Sequence, residues 1–153
     1  MLGISSANLD SAQQQQADLG IEWYPLGNLN LYWIGRASVL DNGAGWKPLA
    51  FVKIGVKVLP KLWLEGFCLS GQMRNYQAGN GSVIFNLPND AHFFSGASLL
   101  LPLGSFVWGL NYSVMPLKAQ YYTLTSDNLN VNSTSYSYLN HLFSLTLKWN
   151  VNP

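Results

Sequence analysis

Four side chains in the second half of the chain have the types that nucleophilic hydrolysis requires. Asp90 and His92 stand two residues apart, with Ser82 and Ser95 to either side. A serine hydroxyl activated by an imidazole, itself oriented by a carboxylate, could attack an ester carbonyl as an acyl hydrolase or transferase does. The same residues also read without chemistry, Asp90 as a turn former and His92 as the residue that begins a strand. His141 reads in the same way, as a rim residue. No H-E-x-x-H pair, phosphate-cradling glycine loop or carboxylate set at metal spacing accompanies them. Cys68 is the only cysteine, which excludes a disulfide framework and a thiolate metal site; it reads as a small apolar strand residue. The expectation is a protein with no cofactor, no metal and no catalytic residues.

A second set of side chains is defined by charge. Charged residues make up only 10% of the sequence, aromatics 14%, and the formal net charge is +1. A soluble domain carries about 25% charged residues, so this surface is either unusually neutral or turned away from water. Nucleic acid is excluded as a partner, because a phosphate-binding face needs clustered Lys and Arg. The few charges instead fall one at a time among small polar residues. Glu22, Arg36, Lys53, Lys57, Arg74 and Lys148 are the candidates for one polar face, with Asp18 beside them. Such a mild cationic excess would favour anionic solutes if that face lined a channel.

The elements that must hold these residues are strands. Alternation and turn punctuation dominate over helical periodicity, and the pattern predicts seven strands, at about 17–25, 29–40, 48–59, 62–76, 92–102, 106–118 and 137–151. Three connections are tight and contain proline, around Pro25, Pro60 and Pro102. The others, 41–47, 77–91 and 119–136, are long and polar. Short and long connections alternate strictly, as in outer-membrane barrels with short periplasmic turns and long outer loops. No run approaches the ~18 apolar residues of a transmembrane helix, so a closed antiparallel up-and-down β-barrel is the one way for this chain to cross a bilayer.

The predicted faces fit that reading. Leu19, Ile21 and Trp23 alternate with Asp18, Gly20 and Glu22; Val52, Ile54 and Val56 alternate with Phe51, Lys53 and Gly55; Phe143, Leu145, Leu147 and Trp149 alternate with Ser144, Thr146 and Lys148. In the fourth strand Phe67, Leu69 and Met73 form the apolar face. The fifth, with Phe93, Phe94 and Ser95 in succession, fits no simple register. Trp23, Trp63 and Trp108 adjoin the proline turns and Trp149 lies near the chain end, while Tyr121 and Tyr122 lie toward the long loops. These six are the candidate membrane-interface aromatics, since their rings favour the headgroup level.

Seven strands break the even parity of single-chain bacterial barrels. The reading therefore expects an upward strand before Met1. Residues 1–16 would then be an outer loop or the remnant of that strand, and 17–153 the membrane-spanning part. With the short turns and C-terminus periplasmic, the turns Pro25-Leu26-Gly27 and Pro102-Leu103-Gly104 and the final stretch His141 to Val151 (HLFSLTLKWNV) resemble the C-terminal barrel segments of Bacteroidota-type outer-membrane proteins. The chain departs from the proteobacterial pattern by ending in Asn152-Pro153 rather than on an aromatic. That resemblance implies outer-membrane lipid as surroundings and the barrel-assembly machinery as a partner of the last strand, with an upstream domain or partner subunits as further partners. It implies a porin, a transport or export barrel, or a membrane anchor. Two alternatives stay open: a soluble lipocalin-like barrel binding a small apolar ligand, and an outer-membrane acyl hydrolase or transferase.

Overall fold

Alternating side chains with turn residues at regular intervals produce a structure made of strands alone. The computed structural model describes residues 1–9, 12–41, 45–78, 83–85, 89–124 and 131–149, and among these there is no helix. The strands are β1 (Leu2–Leu9), β2 (Ala12–Trp23), β3 (Leu31–Asp41), β4 (Trp46–Leu59), β5 (Leu62–Gly71), the short β6 (Tyr76–Ala78), β7 (Val83–Phe85) and β8 (Asp90–Ala91), then β9 (Phe93–Leu103), β10 (Phe106–Leu124) and β11 (Val131–Trp149). Eight of them form one antiparallel sheet in the order β1-β2-β3-β4-β5-β9-β10-β11, while β6 and β7 form a separate hairpin. β8 pairs with β10 at Ala91 and Asp90, just beyond the β9 ladder, so β8 and β9 are one line of chain interrupted at His92. The sheet is open: among the described residues β1 and β11 are its two ends and do not pair with each other.

Turn chemistry sets the registers. Leu103 faces Phe106 across a two-residue loop, and Gly104 has φ 60°, the positive value that a II′ hairpin needs at its first central position. Pro60-Lys61 makes a similarly short link, Leu59 facing Leu62. After Tyr24 the chain turns with Gly27 N donating to the Tyr24 carbonyl at 3.0 Å.

The sheet has two unlike faces, here called inner, where the β6–β7 hairpin folds, and outer. Ladder partners share a face. The outer face carries Ile21, Gly35, Val52, Cys68, Ser95 and Val114 in one continuous row. The inner face carries Gly20, Arg36, Phe51, Leu69 and Phe94 in the next. The apolar core lies on the inner side. Leu40, Leu49, Leu69, Met73, Tyr76, Ala91 and Leu117 are buried together, with Phe51, Phe85, Phe94 and Met115 packed against them. Inner-face glycines make room for rings: the Tyr32 ring lies across Gly55 and the Phe67 ring across Gly96, where a Cβ would collide.

Several expectations are corrected. Leu2–Leu9 is a strand paired with β2, Leu2 facing Leu19 and Leu9 facing Ala12, so the stretch 1–16, expected as an outer loop or a strand remnant, holds all of β1 and the start of β2. The Ser-Ala-Asn-Leu stretch of β1 and the Gln-rich start of β2 were too polar to read as strands, yet Gln14 and Gln16 are buried on the inner face. Phe67 and Leu69 face inward, not outward with Val52, because the former packs with Phe51 and Phe94 and the latter joins the core. The same packing explains the irregular fifth strand: Phe93 points outward, and Phe94 points inward against Phe85 and Phe67. β5 ends at Gly71, whose φ of 126° breaks the strand, so Met73 and Arg74 belong to the connection and not to it. The expected long connections at 77–91 and 119–136 are partly strand: the first holds β6 to β8, and the second is flanked by β10 and β11 extended to Leu124 and from Val131.

Candidate functional site

The inner face collects nearly all the polar chemistry that the sequence offered. Asp18, Arg36, Lys53 and Lys57 all lie on it, as do Glu22 and Lys148, and Glu65 joins them. Lys53 and Glu65 form an ion pair at 2.7 Å, with side chains 30% and 16% exposed. The buried Tyr32 also donates its hydroxyl to Glu65, and Lys53 stands 5.9 Å from the Tyr32 ring centroid. Lys57 lies over the Trp63 ring at 4.7 Å, a cation–π contact that sheathes the ammonium. Glu22 accepts a hydrogen bond from Tyr24 at 2.9 Å, and that bond raises the Tyr24 phenol above its ordinary pKa. Glu65 is the residue that sequence reading missed, and its place opposite Gly55, two positions from Lys53, was the available signal. Glu65→Gln is expected to lower stability by ~1 kcal/mol in chemical denaturation, because Lys53 loses its counter-charge while partly solvated.

Above these charges the hairpin seals one end of the face with an amide pair and a hydroxyl chain. Gln16 Nε2 donates to the Gln77 carbonyl at 2.8 Å, and Gln77 N donates back to Gln16 Oε1 at 2.9 Å. Gln16 also donates to Asp18, at 2.9 and 3.0 Å to its two carboxylate oxygens, and Ser38 donates to Asp18 as well. Ser38 Oγ meets the Tyr76 hydroxyl at 3.4 Å. Beneath the hairpin a cavity of about 380 Å³ is lined by Phe51, Phe67, Tyr76, Phe85 and Phe94, with Glu22 and Arg36 also at its wall. Arg36 Nη2 lies 3.9 Å from the Met1 sulfur. Arg74 lies apart, exposed in the turn that precedes β6.

Of the hydrolase candidates, the described three, Asp90, His92 and Ser95, make no hydrogen bond to one another. Ser95 is on the outer face. Asp90 and His92 line a shallow hollow of about 170 Å³ with Lys118 and Ser137, and Asp90 pairs with Lys118 in the ladder. Among the described residues no hydrogen bond links Asp90, His92 and Ser95, and no group of three His, Cys, Asp or Glu could hold a metal. Ser82 lies outside the described residues. His141 is on the outer face, its Nδ1 2.8 Å from the Tyr112 hydroxyl.

The outer face is apolar and open. Ile4, Leu19, Phe143 and Leu145 are between 64% and 83% exposed, with Ile21, Ile54 and Leu110 about half exposed. Trp23, Trp108 and Trp149 stand on it near the short turns, Trp23 facing Trp33 and Trp149 stacked on Phe106. Trp46, Phe93 and Tyr122 stand on it toward the long connections. Trp63 does not share this surface, since it faces Lys57 on the inner side. The Tyr121 side chain lies outside the described residues. Set against protein-family models, curated proteins and solved structures, the chain matches none, and its own chemistry is what assigns the site.

Proposed function

We propose that this chain forms membrane-spanning strands of a bacterial outer-membrane β-barrel, with the outer face toward lipid and the inner face lining the lumen. The barrel acts in transport or export, or anchors a larger assembly, and carries no chemistry of its own. One observation supports this above all: the sheet is inside out. Its exposed face is built mainly from Ile, Leu, Phe, Val and Trp, while the Lys53–Glu65 ion pair and buried glutamines lie on the covered face. A continuous apolar surface across eight strands is far larger than the few hundred Å² that a soluble monomer leaves in water.

Dimensions agree. From Trp46, at one aromatic level, to Ile54, which pairs with Trp33 at the other, β4 runs eight residues. That is ~27 Å along the strand and ~21 Å along the normal at ~40° tilt, close to the ~25 Å apolar band of such barrels. The hairpin occupies the lumen near the long connections, so the resting barrel is obstructed there.

The aromatic cavity favours a second reading, a soluble lipocalin-like barrel holding a small apolar ligand. The two readings separate in one experiment. Protein refolded from denaturant with lipid vesicles is expected to resist carbonate extraction and to migrate anomalously on unheated gels. A monomer that stays soluble in detergent-free buffer and ignores vesicles would refute the membrane reading. Planar-bilayer recordings of the inserted protein then test transport, with small or intermittent conductance expected while the hairpin is in place.

A further inference from the structure

Five rings on the inner side stand in one chain of contacts. Phe51 packs with Phe67, Phe67 with Phe94, Phe94 with Phe85 and Phe85 with Tyr76, at centroid separations from 5.0 to 6.4 Å. Phe51, Phe67 and Phe94 come from β4, β5 and β9, and the other two from the hairpin. Together they wall the cavity of about 380 Å³ between the two layers. That volume is near the small end of ligand pockets, which span ~300–1,000 Å³. A wall of ring edges and faces suits a further aromatic ring better than an aliphatic chain, because edge and face carry opposite partial charge.

The polar end of the cavity lies at β2 and β3. Glu22 and Arg36 are at its wall, diagonal to one another in the ladder, since Glu22 faces Ile34, two residues before Arg36. Side chains in that relation start ~7 Å apart. They do not neutralise each other: among the described residues no ion pair joins Arg36 to Glu22 or to Asp18. Asp18 is taken up by Gln16 and Ser38. Glu22 accepts from Tyr24 through Oε2, so its other oxygen can take a second donor.

An aromatic box with a carboxylate and a guanidinium at one end, close but unjoined, restricts what fits. An aromatic carboxylate would satisfy Arg36 and be repelled by Glu22. An aromatic amine would do the reverse. A neutral ring would desolvate both charges and give neither a partner. A molecule carrying both charges on one carbon satisfies both.

From this fit we infer that the cavity binds a free aromatic α-amino acid. Its ring lies among the five, its carboxylate meets the Arg36 guanidinium through paired N–H···O bonds, and its ammonium donates to Glu22. Every residue used lies in the sheet or its hairpin, and the inference goes beyond the membrane reading, holding whether the outer face meets lipid or water. In a transport barrel it names the solute class.

The test is equilibrium dialysis of radiolabelled L-phenylalanine against the whole refolded chain, in vesicles if it inserts and in buffer if it does not. Saturable binding is expected, with one site per chain. Unlabelled 3-phenylpropionate, phenethylamine and L-alanine should each compete at least ~10-fold more weakly, since each lacks the amine, the carboxylate or the ring. Arg36→Leu should abolish the preference for phenylalanine over phenethylamine, and Glu22→Gln its preference over 3-phenylpropionate. No saturable binding by a chain that circular dichroism shows to be folded would overturn the inference. So would equal competition by any of the three, or an unchanged preference in either folded variant. If a variant does not fold, the order of competitors on the unsubstituted chain decides. Carbonate extraction separates the other failure: an inserted chain that ignores phenylalanine overturns this inference alone, and a soluble chain that binds it overturns the membrane reading alone.

Discussion

Leu145→Arg is expected to destabilise the vesicle-inserted protein by ~2–4 kcal/mol, while Ser144→Arg on the adjacent residue leaves it nearly unchanged. Both side chains are exposed on β11, and they differ in the face they occupy: Leu145 pairs with Leu110 and Ser144 with Asn111. In water an arginine at either site would be almost neutral, within ~0.5 kcal/mol. In a bilayer Leu145 lies four residues above Trp149, ~10 Å from the aromatic level and close to the midplane for ~40° tilt, where a lipid-facing arginine has its largest cost. Ser144 would face a hydrated lumen. Denaturant titration of refolding into vesicles measures the difference. Equal, small effects at both positions would mean that both faces meet water.

Removing the Tyr76 ring should have an effect of similar size but a different reach. Tyr76 is 2% exposed, sits in the cluster with Leu40, Leu49, Leu69 and Met73, and stacks on Phe85 with centroids 6.1 Å apart. Tyr76→Ala leaves a cavity under the hairpin and is expected to cost ~3–5 kcal/mol. Since the hairpin pairs only with itself in the backbone ladder, the loss should fall on the segment between β5 and β9. Limited proteolysis is then expected to cut between Gln72 and His92 while the eight-strand sheet survives, and bilayer conductance should rise as the lumen clears. Tyr76→Phe should lose less than ~1 kcal/mol, because the hydroxyl's 3.4 Å contact with Ser38 is long. Wholesale unfolding of Tyr76→Ala, with no separate cleavage of that segment, would show that the hairpin is integral to the sheet and not a plug upon it.

The apolar outer face matters to both outcomes, because it decides which solvent the hairpin and the inner charges are protected from. With lipid outside, the Lys53–Glu65 pair and the Gln16–Gln77 amides hold the interior together by polar contacts. An aromatic-lined cavity lies below the hairpin. On the proposed barrel reading, a solute would have to displace the hairpin, and the strength of its attachment would set how often the path is open.

Sequence by itself determined the all-β, antiparallel character of the chain, the two-residue turns at Pro60-Lys61 and Gly104-Ser105 and the outward row of most strands, whereas the Pro25 connection, read as tight, runs from Trp23 to Leu31 and is longer than the expected long link between Asp41 and Trp46. These properties follow from short-range rules: a period of two fixes which residues share a face, and glycine or proline at set positions fixes where strands reverse. Only the tertiary structure decided the rest. Leu2–Leu9 is a strand because β2 pairs with it, although its small and polar residues carry little pattern of their own. Phe67, Leu69 and Trp63 turn inward because a hairpin and a lysine wait for them there, and apolar residues follow burial whichever face supplies it. Asp90, His92 and Ser95 looked adjacent along the chain, yet the line of β8 and β9 is interrupted at His92 and no hydrogen bond links the three. The hairpin on the inner face was legible nowhere in the strand pattern. It depends on contacts between residues as distant as Gln16 and Gln77, which no local periodicity records.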